Sequence, residues 1–207
     1  MAEKKQPGNE TISFNYNYSD RFELEDVENR RLYLNCDIDE NIFDNVWYHI
    51  MRYNRIDKDK AISERKPIII YINTEGGNVS DGFGLIDAIK NSRTPVYTVN
   101  IALAASMGFL IYIAGHKRYA MPHSEFLMHD GSGLAYDSTA KLRDRIEFET
   151  GEMAQSIKDY VIDNTNIDEQ LYDEKYRTEW YFLPNTGREI GVVDYIIGQD
   201  CGIEEIV

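Results

Sequence analysis

The chain has 207 residues, with 22 Lys and Arg against 36 Asp and Glu, for a formal net charge of −14. Nucleic acids and anionic membrane surfaces demand Lys/Arg-rich faces, so this balance speaks against both as partners. An apolar share of 43% in a chain of this length supports one good-sized domain with its own core, and no run of about 18 apolar residues offers a membrane span.

Residues 1 to 25 are polar, have no sustained period and contain no apolar core of a secretory signal; they predict a flexible N-terminal arm ahead of a single domain over 26–207. Arg31-Leu32-Tyr33-Leu34 predicts a short strand. From Asn41 to Tyr53, apolar residues recur at helical spacing (Ile42, Phe43, Val46, Trp47, Ile50, Met51). Asp57 to Arg65 is a charged loop. Pro67 to Ile72 is a continuous β-branched run, as in a strand buried on both faces. Gly76-Gly77 breaks the chain, Val79 to Lys90 predicts a helix, and Val96 to Val99 a second buried strand. A helix follows Ser106, then a strand at Glu125-Phe126-Leu127-Met128. Asp137 or Ser138 is placed to cap a long helix, about 138–163, with Leu142, Ile146, Met153, Ile157 and Val161 on one stripe. At ~1.5 Å per residue it is about 35 Å long, so it either projects toward a partner or kinks at Gly151 over its own sheet. The alternation of strands and helices predicts an α/β fold with a largely parallel sheet.

Three places carry candidate chemistry. Ala104-Ala105-Ser106-Met107-Gly108 sets one serine between small residues at a strand-to-helix turn, where its hydroxyl stands clear of the backbone and next to a helix N-terminus. That suits a nucleophile; small residues also suit a tight turn. Asn73-Thr74-Glu75-Gly76-Gly77-Asn78 follows a buried strand and opens a helix, so its glycines can turn amides toward a ligand, as half an oxyanion hole, or simply make the turn. His129 ends an apolar strand, at the edge where α/β sites form. It reads as a general base for Ser106 or as a strand-end histidine bonded to a turn. His49, His116 and His123 have no zinc-ligand spacing, and Cys36 and Cys201 form no CxxC pair. The residues therefore predict no metal and no cofactor, with reduced thiols as in the cytoplasm.

Taken together, these stretches resemble the ClpP family, the proteolytic subunit of the Clp protease. Ile72 to Val79 is similar to that family's INSPGGxV segment. Ala104 to Gly108 matches its AASMG nucleophile motif, Arg118 to His129 resembles the stretch ending in its histidine, and Gly191-Val192-Val193-Asp194 its GLxD. The resemblance runs from about Arg31 to Ile197. It implies a ClpP/crotonase-like fold with a protruding handle helix, and a serine endopeptidase in which Ser106 is the nucleophile and His129 its base. The amides of Gly77 and Met107 would form the oxyanion hole. It also implies heptameric rings stacked as a tetradecamer through the handle, an arm lining the axial pore, and unfolded polypeptide delivered by an AAA+ unfoldase in the cytoplasm.

Three positions depart from the family pattern. Anchoring the family's aspartate-bearing segment on Phe182 puts Tyr176 at the acid position, and anchoring on Thr178-Glu179 puts Arg177 there. Glu179 is the first substitute, followed by Glu174 and Asp173. Glu75 stands where the family has proline, and Asp130-Gly131 where it has Gln-Pro. A missing acid leaves a second reading, a catalytically weak or inactive structural subunit of a mixed ring. A crotonase-type acyl-CoA enzyme is a third.

Overall fold

The computed structural model of the chain describes residues 18–131 and 138–207. The proposed cap Asp137 and residues 1–17 of the expected arm lie outside them; Ser138 takes the N-cap position of the long helix. The end of that arm is helical, α1 (Tyr18–Glu28), a helix too polar for its period to show in the sequence. Arg30, in the left-handed conformation at φ 64, turns the chain from α1 into β1 (Arg31–Leu34).

A π turn at Phe43–Trp47 leads into α2 (Tyr48–Ile56), followed by β2 (Ile68–Thr74), α3 (Val79–Lys90) and β3 (Val96–Ala105). Next come α4 (Met107–Ile113), β4 (Lys117–Ala120) and β5 (Glu125–Met128). The strand after Pro95 thus runs six residues past the expected Val99, through Asn100 to Ala105. The strand β4 was not expected at all.

Among the described residues the sheet has seven strands, five of them in the order β1-β2-β3-β4-β7, the last being Tyr195–Ile196. Strand β3 is forked: Tyr97 to Asn100 pair with β4, and Leu103 to Ala105 pair with β5. All of these ladders are parallel. The exception is β6 (Trp180–Phe182), which runs antiparallel to β5.

Side chains of β2 alternate between two cores, as the two-residue period of a strand requires. Ile68, Ile70 and Ile72 join the large core with Leu85, Ile89, Phe109 and Tyr112 under the helices. Ile69 and Tyr71 join a smaller core with Val99, Tyr119 and Ile206, where the chain's last turn covers the opposite face. Burial on both faces is why the sequence here reads as an unbroken apolar run. α3 starts where Asn78 Oδ1 accepts the amide of Asp81 at 3.0 Å.

The long helix is present as α5 (Thr139–Phe148), a π turn (Glu149–Met153) and α6 (Ala154–Asn164), continuous from 139 to 164. No residue of α5 or of the π turn is buried, and Ile146 and Phe148 are exposed. Only the α6 end docks on the body, through Ile157, Tyr160 and Val161. Gly151 falls inside the π turn. α7 (Glu169–Lys175), α8 (Pro184–Glu189) and β7 (Tyr195–Ile196) complete the chain. Asp194 accepts the Arg118 backbone amide and both Nε and Nη2 of its guanidinium, at 2.9, 3.2 and 2.6 Å. The Gly191-to-Asp194 motif is therefore a clamp that holds β4.

Asp57 departs from the sequence expectation. Its loop is charged, yet its carboxylate is fully buried. It is bound by Arg30, by Lys60 at 2.8 Å and by the Thr94 hydroxyl at 3.2 Å.

Candidate active site

The site lies at the carboxyl ends of β2, β3 and β5, where an open α/β sheet presents loops rather than ladder. Ser106 follows the last residue of β3 and caps α4 with φ 54 and ψ −121. A non-glycine residue is rarely held there, and the surrounding bonds must supply the constraint. They do: the Ser106 amide donates to Leu127 O of β5 at 2.9 Å, and its carbonyl accepts from Phe109 N at 3.0 Å. The turn leaves the serine half-buried at the entrance of a pocket, not packed away.

The Gly76-Gly77 turn packs directly on this elbow. Gly76 has φ +105, and a Cβ on it would lie 2.7 Å from Ser106 Cβ. Gly77 has φ +147, and its Cβ would lie 2.3 Å from the Ile38 carbonyl oxygen. Ile38 bridges this turn: its amide donates to Gly76 O at 2.8 Å, and its carbonyl accepts from Asn78 N at 2.7 Å. That bridge uses the groups on either side of the Gly77 amide, which itself has no acceptor among the described residues. Met107 is the first residue of α4, and the first amides of a helix have no intrahelical acceptor. Two exposed or orphaned N–H groups thus flank Ser106. Gly77→Ala should destabilise the protein by about 2 kcal/mol or more through backbone strain and the clash with Ile38, lowering the melting temperature by at least about 4 °C in a thermal melt; an unchanged melting temperature would contradict the tight packing.

His129 stands one residue beyond β5 and Glu179 one residue before β6. Met128 pairs with Trp180, so His129 and Glu179 face each other across the antiparallel ladder. Glu179 Oε1 is 3.0 Å from His129 Nδ1. A carboxylate only accepts, so Nδ1 carries a proton, and the neutral form of the ring then has its lone pair on Nε2. The His129 side chain is 16% exposed and Glu179 61%. Tyr176 lines the same pocket, while Asp173 is engaged with Lys158 at 2.8 Å and Glu174 with Gln170 at 3.1 Å. Glu75 faces solvent.

Ser106 and His129 line one pocket with Val79, Phe109, Leu110 and Met128. Among the described residues no hydrogen bond joins the Ser106 hydroxyl to His129; such contacts are often long without substrate and tighten in the complex. Ile157 and Val161 from the docked end of the long helix, and Tyr172 from α7, complete the pocket wall. The sequence places Ile157 and Val161 on the stripe of the long helix without linking them to the site, and it singles out nothing at Tyr172. The other histidines stand apart: His116 Nδ1 accepts the Val96 amide at 2.9 Å, and burial lowers the pKa of both His116 and His49.

Comparison with known proteins agrees with this architecture. A solved structure of a mutant ClpP1 from Listeria monocytogenes superposes with a TM-score of 0.69 at 23% identity, covering 85% of this chain and 95% of the other. The chain is 29% identical over 176 residues to the ATP-dependent Clp protease proteolytic subunit 1 of Corynebacterium jeikeium, spanning 83% of this chain and 88% of that protein. It is 29% identical over 178 residues to subunit 2 from Rhodococcus jostii, spanning 84% and 86%. The Clp protease family model matches residues 23–200, and with most of the chain inside that match, the protein belongs to the Clp protease family.

Proposed function

We propose that the protein is a serine endopeptidase in which Ser106 attacks the scissile carbonyl, His129 is the general base, Glu179 orients it, and the amides of Gly77 and Met107 receive the oxyanion. The contact between His129 Nδ1 and Glu179 carries the reading, because it leaves Nε2 free on the pocket side where Ser106 stands. A serine hydroxyl is a weak nucleophile until a neutral imidazole takes its proton. That proton passes to Nε2 as the Oγ–carbon bond forms, then to the leaving amine as the peptide bond breaks. The oxyanion gains from donors already fixed in place, each worth about 3 kcal/mol in such sites. Glutamate is one methylene longer than the expected aspartate, and its place across the β5–β6 ladder accommodates that reach.

By the same reading, the subunits assemble as heptameric rings stacked into a tetradecamer. The exposed α5, with Ile146 and Phe148, would be covered by a second copy. Unfolded polypeptide would be delivered by an AAA+ unfoldase, in keeping with the name ATP-dependent carried by the relatives, and the N-terminal arm would line the axial pore. No described helix is long and apolar enough to cross a membrane, and a cytoplasmic location fits the proposal.

A fluorophosphonate probe should label the wild-type protein and spare Ser106→Ala, read by intact mass; equal labelling of both would remove the nucleophile assignment. A second reading, a weak subunit of a mixed ring, is favoured by the unjoined Ser106 and His129 and by relatives numbered as subunits 1 and 2. It expects negligible peptide turnover by the purified protein and recovery only with a second type of subunit; strong turnover by the lone protein would exclude it.

A further inference from the structure

The pocket beside Ser106 combines features that an apolar side chain alone does not satisfy. Its walls are aliphatic and aromatic, from Val79, Phe109, Leu110, Met128, Ile157 and Val161. Two further lining residues differ in kind. Tyr172 is only 2% exposed, and its hydroxyl is buried with no hydrogen-bond partner among the described residues. Native structures seldom leave a buried hydroxyl unpaired unless a ligand or water completes it. Asp130, next to His129, lines the pocket from an exposed position and forms no ion pair among the described residues. Its charge nonetheless reaches the pocket: burial first, and the Asp130 carboxylate among the further causes, push the phenols of Tyr172 and Tyr176 above their ordinary value. Among the described residues no lysine or arginine lines the pocket to balance it. Lys158, 6.0 Å from the Tyr172 ring, is held by Glu169 and Asp173 at 2.8 Å each.

We propose that this pocket takes the substrate side chain preceding the scissile bond and favours a long aliphatic stem ending in a cation, lysine or arginine; the proposal rests on Ser106 being the nucleophile. The stem packs on the apolar walls while the charged head stays near polar groups. The head donates to the Asp130 carboxylate and the Tyr172 hydroxyl oxygen. A leucine or methionine would fill the walls but leave Asp130 without a counter-charge and the Tyr172 hydroxyl unmet. An acidic side chain would face a like charge.

The test uses two peptidyl diphenyl phosphonates that differ only in lysine or leucine next to phosphorus. Each reacts by forming a bond from Ser106 Oγ to phosphorus as phenol departs with the serine proton, so labelling reports the nucleophile and the pocket together. The lysine probe should label at least about tenfold faster, the factor expected of one charge-assisted hydrogen bond. In Asp130→Asn the lysine-to-leucine ratio should fall about tenfold, and added salt should lower it in the wild type. Tyr172→Phe should lower the ratio a few-fold, as loss of one neutral partner predicts. Leucine labelling as fast as lysine in the wild type, or a ratio unchanged in Asp130→Asn, overturns the proposal. So does fluorophosphonate labelling with neither phosphonate reacting. Failure of all three reagents instead removes the nucleophile reading, and this proposal with it.

Discussion

Glu179→Gln should lower kcat/KM by about 10²- to 10³-fold with KM within about twofold, in steady-state assays on a fluorogenic peptide. Glutamine keeps the size but exchanges one acceptor oxygen for an NH₂ group. That group can donate to His129 Nδ1 and so favour the tautomer with the proton on Nε2, where the base must be empty. In well-buried triads this exchange costs about 10⁴. Glu179 is 61% exposed, so solvent screens part of its effect and the smaller figure is expected. A loss confined to kcat identifies an orienting role. A loss of less than about threefold would mean that the 3.0 Å contact contributes nothing to the reaction, and that His129 is oriented by other means.

The second large effect concerns folding. Arg30→Met should destabilise the protein by about 3 kcal/mol in urea melts, because it strands a fully buried carboxylate. Arg30 binds Asp57 through both terminal nitrogens and also donates to Lys66 O at 2.8 Å, tying the start of β1 to the loop before β2. Lys60 and Thr94 still reach Asp57, which places the loss at the lower end for a broken buried pair. Hydrogen bonds from Arg30 first, and from Lys60, hold the Asp57 carboxyl well below its ordinary range against the opposing effect of burial. A depressed folded-state pKa gives stability that is present above the unfolded value, near ~3.9, and lost as pH falls below it. The wild type should therefore resist acid down to about pH 4 and weaken below, while Arg30→Met loses part of this protection and unfolds at higher pH. Arg30→Met with Asp57→Leu should recover part of the loss, since a buried pair replaced as a whole costs less than one half-removed. A change under about 1 kcal/mol in the single variant would show that the pair does not hold the fold.

What the sequence disclosed follows physical scale. β2 and α3 were legible because their signals are local: an apolar run buried on both faces and an Asn78 cap. Ser106 and the glycine turn were legible because a strained elbow needs small neighbours. The elements β4, β6 and β7 were not: β6 and β7 have three and two residues, too few for a pattern, and β4 opens on Lys117 and Arg118, which lack the apolar residues that mark the equally short β1 and β5. Glu179 was only one of several acids near the right place, since what selects it is a register between strands 50 residues apart. Asp57 was misjudged for the same reason: its partners Arg30 and Thr94 come from distant parts of the chain, so a core residue reads as part of a solvated loop.

The three-residue strand β6 has a consequence for how the protein fails. At one end Phe182 is 6% exposed and stacks on Phe126 at 5.2 Å; at the other, Trp180 leads out to the exposed Glu179. Among the described residues β6 pairs with β5 and with no other strand. Opening therefore starts from the Glu179 end and needs only a small part of the free energy that holds the core. Heat or denaturant would part Glu179 from His129 while the sheet beneath still stands, so the proposed site would fail before the fold does.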